Sequence, residues 1–122
     1  MTNVPIHVVD KIERHHKPII NQIRHKIGQP IHVSQNSGYR SKDWELSHGR
    51  SGTSEHTFTG LGAVDYTCAN IELLLEELRA SDYKRICYYP DQKFIHCDHK
   101  GDRYHEFEVD EDGKWQYKGE RK

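Results

Sequence analysis

The chain has no excess of charge of either sign: eighteen Lys and Arg stand against nineteen Asp and Glu, a net charge of -1. That balance removes the positive footprint expected of a protein that grips nucleic acid or an anionic membrane, so neither is an expected partner. It also lacks a long apolar run. Its first thirty residues alternate charged groups with short apolar steps, which leaves no room for a signal peptide or a membrane span. The expectation is a soluble protein, cytoplasmic in the cell that makes it. Cysteine is scarce and unpatterned. Cys68, Cys87 and Cys97 are odd in number with no C-x-x-C spacing, against both a disulfide framework and a thiolate zinc site. There is no internal repeat and no linker. At 122 residues the chain fits one domain, residues 1–122, that can bury a core without obligatory disulfides.

What is present reads as α+β, a small antiparallel sheet with helices packed on it. From Val8 to Ile27 the residues Ile12, Ile19, Ile20, Ile23 and Ile27 follow one helical stripe, and Gly28 supplies a stop. Pro18 interrupts that stripe. It predicts either a kink or, preferably, a regular helix starting near Lys17 with the proline in its first turn. Residues 30–34 predict a short strand, residues 63–67 a buried one, and residues 71–80 an amphipathic helix capped by Asn70. Residues 85–89 and 93–98 flank Pro90-Asp91-Gln92 as a hairpin, and residues 104–109 and 114–117 flank Asp112-Gly113 as another. The Ser-, Thr-, Gly- and His-rich stretch from Lys42 to Gly62 is a long connection of the kind that carries function.

Ten histidines invite a metal reading. A catalytic zinc site needs three nitrogen or oxygen ligands on well-held elements, with one position open. His56 before a glycine-bearing turn, Asp65 on the strand after it and His96 on a later strand meet that need, although a lone His-x-Asp is common and spacing alone selects weakly. Side chains alternate along a strand, so Asp98 shares a face with His96. At about 6.5 to 7 Å between alternate α-carbons, its carboxylate suits a water at the metal better than the metal itself, which makes it a general-base candidate. Asp91 is a second candidate, although aspartate in a turn has an ordinary local explanation. His99 and His105 read as surface or edge residues, and His48 is a rival ligand in the loop of His56.

The segments SGYRS (Ser37 to Ser41), SEHTFTGLGAVDY (Ser54 to Tyr66) and YYPDQKFIHCD (Tyr88 to Asp98) together resemble the zinc D-alanyl-D-alanine carboxypeptidases. That group includes the vancomycin-resistance dipeptidases, phage L-alanyl-D-glutamate endolysins and the hedgehog-type zinc fold, and the likeness spans roughly residues 17 to 98. The resemblance implies Zn²⁺ held by His56, Asp65 and His96, and the Ser54-x-His56 context favours His56 over His48. It implies that Arg40 binds a substrate carboxylate or stabilises an oxyanion, as a planar guanidinium does well, with Tyr39 and Ser54 in the substrate-binding set. Two departures stand out. The family commonly places six residues between its first two ligands, in H-x-x-G-x-A-x-D, where this chain has eight between His56 and Asp65. It also often carries a glutamate three residues before the last histidine, where this chain has Lys93.

The implied activity is hydrolysis of a peptide bond in the peptidoglycan stem, D-Ala-D-Ala or L-Ala-D-Glu, by a monomer that is either a phage lysis enzyme released to the wall or a cytoplasmic dipeptidase. A second reading keeps the zinc fold without catalysis, as a module binding wall fragments or a protein partner, and the missing glutamate is its support. A metal nuclease built on His96-Cys97-Asp98-His99 is weak, given the balanced charge.

Overall fold

The computed structural model describes residues 5–33, 46, 55–58 and 60–119. Helix α1 is Ile6–His15 and helix α2 is Lys17–Ile27. The break between them falls at His16, and Pro18 stands in the first turn of α2, where its missing N–H removes no helical bond. The regular helix thus starts at Lys17 as the sequence predicts, but the residues before the proline form a helix of their own. Gly28 closes α2 in the left-handed conformation, φ +68°, with its N–H donating to the Arg24 carbonyl. Helix α3, Ile71–Arg79, starts where the Asn70 side chain accepts from the Leu73 N–H at 3.2 Å. Among the described residues no helix is long and apolar enough to cross a membrane.

Six strands follow the chain as β1 (Ile31–Val33), β2 (Ala63–Cys68), β3 (Arg85–Tyr89), β4 (Phe94–Asp98), β5 (His105–Val109) and β6 (Trp115–Gly119). They form one sheet in the order β1-β2-β4-β3-β5-β6. The sheet is mostly antiparallel, as expected, with one exception: β3 and β5 pair in parallel, with Arg85 opposite His105. The cause is that β5 does not follow its neighbour in the chain. β4 ends beside the start of β3, and residues 99–104 step over that end, where the His105 N–H donates to the Lys84 carbonyl at 2.8 Å. Turn signals and alternation mark strands, but they do not say which strand lies beside which.

The alternation gives the sheet two unlike faces. Val64, Tyr66 and Cys68, Ile86, and Ile95 and Cys97 turn to the helices and join Ile23, Leu74, Leu75, Leu78 and Tyr83 in the core. Leu74 and Leu78 are fully buried, so truncating either to alanine should cost about 2–5 kcal/mol. The other face carries Asp65, His96 and Asp98, Arg85 and Cys87, then Phe107 and Trp115. This polar and aromatic face holds the candidate site.

Candidate metal centre

His56 is the middle residue of a 3-10 turn, Glu55–Thr57, which precedes β2. Phe58 closes that turn with φ +56° and is buried against Gly62, itself at φ +90°. A Cβ at Gly62 would lie 2.1 Å from two Phe58 ring carbons, so only glycine admits the ring there. Lys11 of α1 donates to the Phe58 carbonyl at 2.7 Å. The eight residues between the first two candidate ligands therefore include an inward aromatic that anchors the turn to its own glycine. Asp65 and His96 need no such device, because they are direct partners in the β2–β4 ladder.

These elements bring His56, Asp65 and His96 together, all buried, with one ligand atom of each within 4.8 Å of the others. Asp65 Oδ1 lies 3.0 Å from His96 Nδ1 and 3.4 Å from His56 Nε2. The two imidazoles meet at 73° with centroids 5.1 Å apart, so their nitrogens converge on one carboxylate oxygen from different directions. Burial alone would raise the Asp65 pKa, but hydrogen bonds from His56 and His96 pull it well below the usual carboxylate range. Two nitrogen donors and one oxygen donor, converging and shielded from solvent, are a donor set that suits a single zinc ion.

Asp98 lies on the same face as His96, as alternation requires, and is set against that imidazole. It is fully buried, and its Oδ2 accepts from His96 Nε2–H at 2.6 Å, on the nitrogen away from Asp65. The Arg85 guanidinium grips the same carboxylate, Nη2 at 2.6 Å and Nε at 2.9 Å from Oδ2. Against the burial that would raise it, His96 and Arg85 hold its pKa below the ordinary value. The carboxylate thus addresses the imidazole and not the space between the three candidate ligands. Burial likewise would lower the His96 pKa, but Asp65 and Asp98, one on each nitrogen, raise it. An outer carboxylate of this kind fixes which ring nitrogen is left for a metal, here Nδ1.

Of the other residues singled out in the sequence, Asp91 is an exposed turn residue. His99 is half-buried, with its Nε2–H donating to the His15 carbonyl at 2.8 Å, and His105 bonds locally to the Arg103 carbonyl. Arg40, Tyr39, Ser54 and His48 lie outside the described residues. Two neighbours of the site were not anticipated. Arg85 had a legible signal, since pairing Tyr89 with Phe94 across the turn counts back to Arg85 opposite Asp98. Trp115, whose ring meets that of His96 at 5.1 Å, had none.

A family model described as peptidase M15 matches residues 7–98, three quarters of the chain and all three candidate ligands. The chain belongs to the peptidase M15 family. M15 peptidases are zinc-dependent metallopeptidases, and the buried His56, Asp65 and His96 cluster is compatible with that chemistry. Comparison with curated proteins and with solved structures finds no match.

Proposed function

We propose that this M15 chain is a zinc metallopeptidase that hydrolyses a peptide bond in the stem of peptidoglycan, of D-Ala-D-Ala carboxypeptidase or L-Ala-D-Glu endopeptidase type. The observation that carries the reading is the convergence of His56, Asp65 and His96 on one buried point in a chain of this family. Zinc bound there supplies a Lewis acid and an acidified water at neutral pH. The chain's own residues do the rest. Asp98 holds His96 Nε2–H and so presents Nδ1, while Asp65 lies between the two imidazoles. Arg40 is assigned the substrate's terminal carboxylate or the developing oxyanion, and Tyr39 and Ser54 are assigned to substrate binding.

One observation favours a second reading, a zinc-bearing module that binds wall fragments without cleaving them. Asp65 and Asp98 are both engaged with imidazoles, and Lys93 stands where the family often has a glutamate. Mass spectrometry of muropeptides digested by the zinc-loaded chain separates the two. Hydrolysis that vanishes in a His56→Ala, Asp65→Ala, His96→Ala triple variant, together with zinc lost from that variant, supports the peptidase. Zinc binding by the unaltered chain with no cleavage of any muropeptide hands the case to the binding module.

A further inference from the structure

The family match stops at residue 98, and the hairpin of β5 and β6 lies wholly beyond it. In the sheet β6 is three strands from β4, about 14 Å at ordinary strand spacing. Yet the Trp115 ring meets the His96 ring edge to face. The indole must lie along the sheet face to reach so far, and the row between His96 and Phe107 holds only the small, fully buried Cys87. The ring is fixed from several sides. Its Nε1–H donates to the Tyr89 hydroxyl at 2.8 Å, Phe107 tilts against it at 5.4 Å, and the Arg85 guanidinium carbon sits 5.0 Å from its centroid.

Trp115 therefore touches both ends of one chain of contacts. It packs on His96, and it stacks on the arginine whose fork holds the carboxylate that holds His96. We infer that Trp115 and Arg85 are positioning residues for His96, so that the C-terminal hairpin sets the orientation of the third metal ligand. The inference rests on reading His56, Asp65 and His96 as that ligand set. An imidazole is free to turn about its ring torsion unless something holds it. Asp98 fixes one nitrogen, Arg85 holds Asp98 with Nη2 and Nε converging on Oδ2, and the indole packs on the imidazole while covering the guanidinium. Cation–π stacking suits an arginine in this place, because its planar head can hold a carboxylate in its plane and present its face to the ring.

The test is zinc affinity of the full chain, measured by competition with a chromophoric chelator, alongside long-range ¹H–¹⁵N spectra of the His96 ring in the metal-free protein. Trp115→Leu and Arg85→Lys should each weaken zinc binding roughly ten- to a hundredfold and move the His96 ring nitrogen resonances. Trp115→Phe, which restores an aromatic face, should recover most of both. Gly113→Ala is the control, because it strains the hairpin turn at φ +79° while a Cβ there meets nothing within 4 Å. It should lower the melting temperature and leave zinc affinity and the His96 resonances unchanged. Unchanged zinc affinity in both Trp115→Leu and Arg85→Lys overturns the inference, and so does a loss in Gly113→Ala equal to that in Trp115→Leu. An unaltered chain that binds no zinc overturns it together with the ligand assignment. An unaltered chain that binds zinc but cleaves no muropeptide sinks only the peptidase reading, and the variants still decide this one.

Discussion

Both oxygens of the Asp98 carboxylate are engaged, Oδ2 by an imidazole at 2.6 Å and a guanidinium at 2.6 and 2.9 Å and Oδ1 by the Lys100 N–H at 2.9 Å, with no exposure to solvent. Asp98→Asn keeps the shape but leaves Arg85 facing a neutral group, and removing one partner of a buried pair costs about 3–5 kcal/mol. It also weakens the hold on His96 Nε2–H. The expected outcome is a fall in zinc affinity of roughly ten- to a hundredfold, with a lower melting temperature, read by chelator competition and thermal unfolding. Zinc fully retained while muropeptide hydrolysis drops by about 10² to 10⁴-fold would instead restore the general-base role that the sequence suggests. Strand alternation made the shared face of His96 and Asp98 legible from the sequence. What the carboxylate touches takes a second step, counting back across the Pro90 turn to Arg85 on the neighbouring strand, and not spacing along one strand alone.

The elements were legible where local signals agree, and less so where tertiary contacts decide. Gly28, Asn70 and Asp112-Gly113 stop, start and turn the chain at the places their chemistry predicts. The order of strands was hidden, since the parallel neighbour of β3 arrives only after β4 has been laid down between it and β2. The turn bearing His56 shows how a longer spacing is accommodated: Phe58 turns inward and Gly62 makes room for it. Gly62→Ala should push the Phe58 ring away and drag the 3-10 turn with it. Strain and overpacking together make a loss of about 1–3 kcal/mol in stability, and weaker zinc binding should accompany it. A variant as stable and as tight for zinc as the unaltered chain would mean the turn is held by other contacts, with Lys11 on the Phe58 carbonyl the first to consider.

At the scale of the whole molecule, His16 joins the parts that surround the site. It sits fully buried at the break between α1 and α2, where Nε2–H donates to the Leu61 carbonyl at 2.9 Å and Nδ1 accepts from the Tyr83 hydroxyl at 2.8 Å. Tyr83 in turn accepts from Tyr66 of β2 at 2.7 Å, so one chain of bonds ties the helices, the approach to β2 and the core face of the sheet. Burial pushes the His16 pKa down to about 4, helped by His99 and His15 and opposed by the Leu61 carbonyl and Asp98. A protonated ring would also present a donor at Nδ1 to a hydroxyl already donating there. In the unfolded chain a histidine takes up its proton near pH 6.5, whereas here it stays neutral until about pH 4. The stability this contributes is therefore fully present above pH 6.5 and is lost as the pH falls from there to about 4. The two pKa values correspond to about 3 kcal/mol. Other groups act on either side of that window, His96 in the opposite sense above pH 6.5 and Asp65 and Asp98 below the ordinary carboxylate value, so the measurement is a difference. Thermal or urea unfolding of the metal-free chain and of His16→Gln, compared between pH 7 and pH 4, should show the gap between them shrinking by about that amount as the pH falls. A gap that stays constant across the range would mean that His16 keeps an ordinary affinity for its proton in the fold, and that the buried chain through Tyr83 and Tyr66 is not what acid breaks.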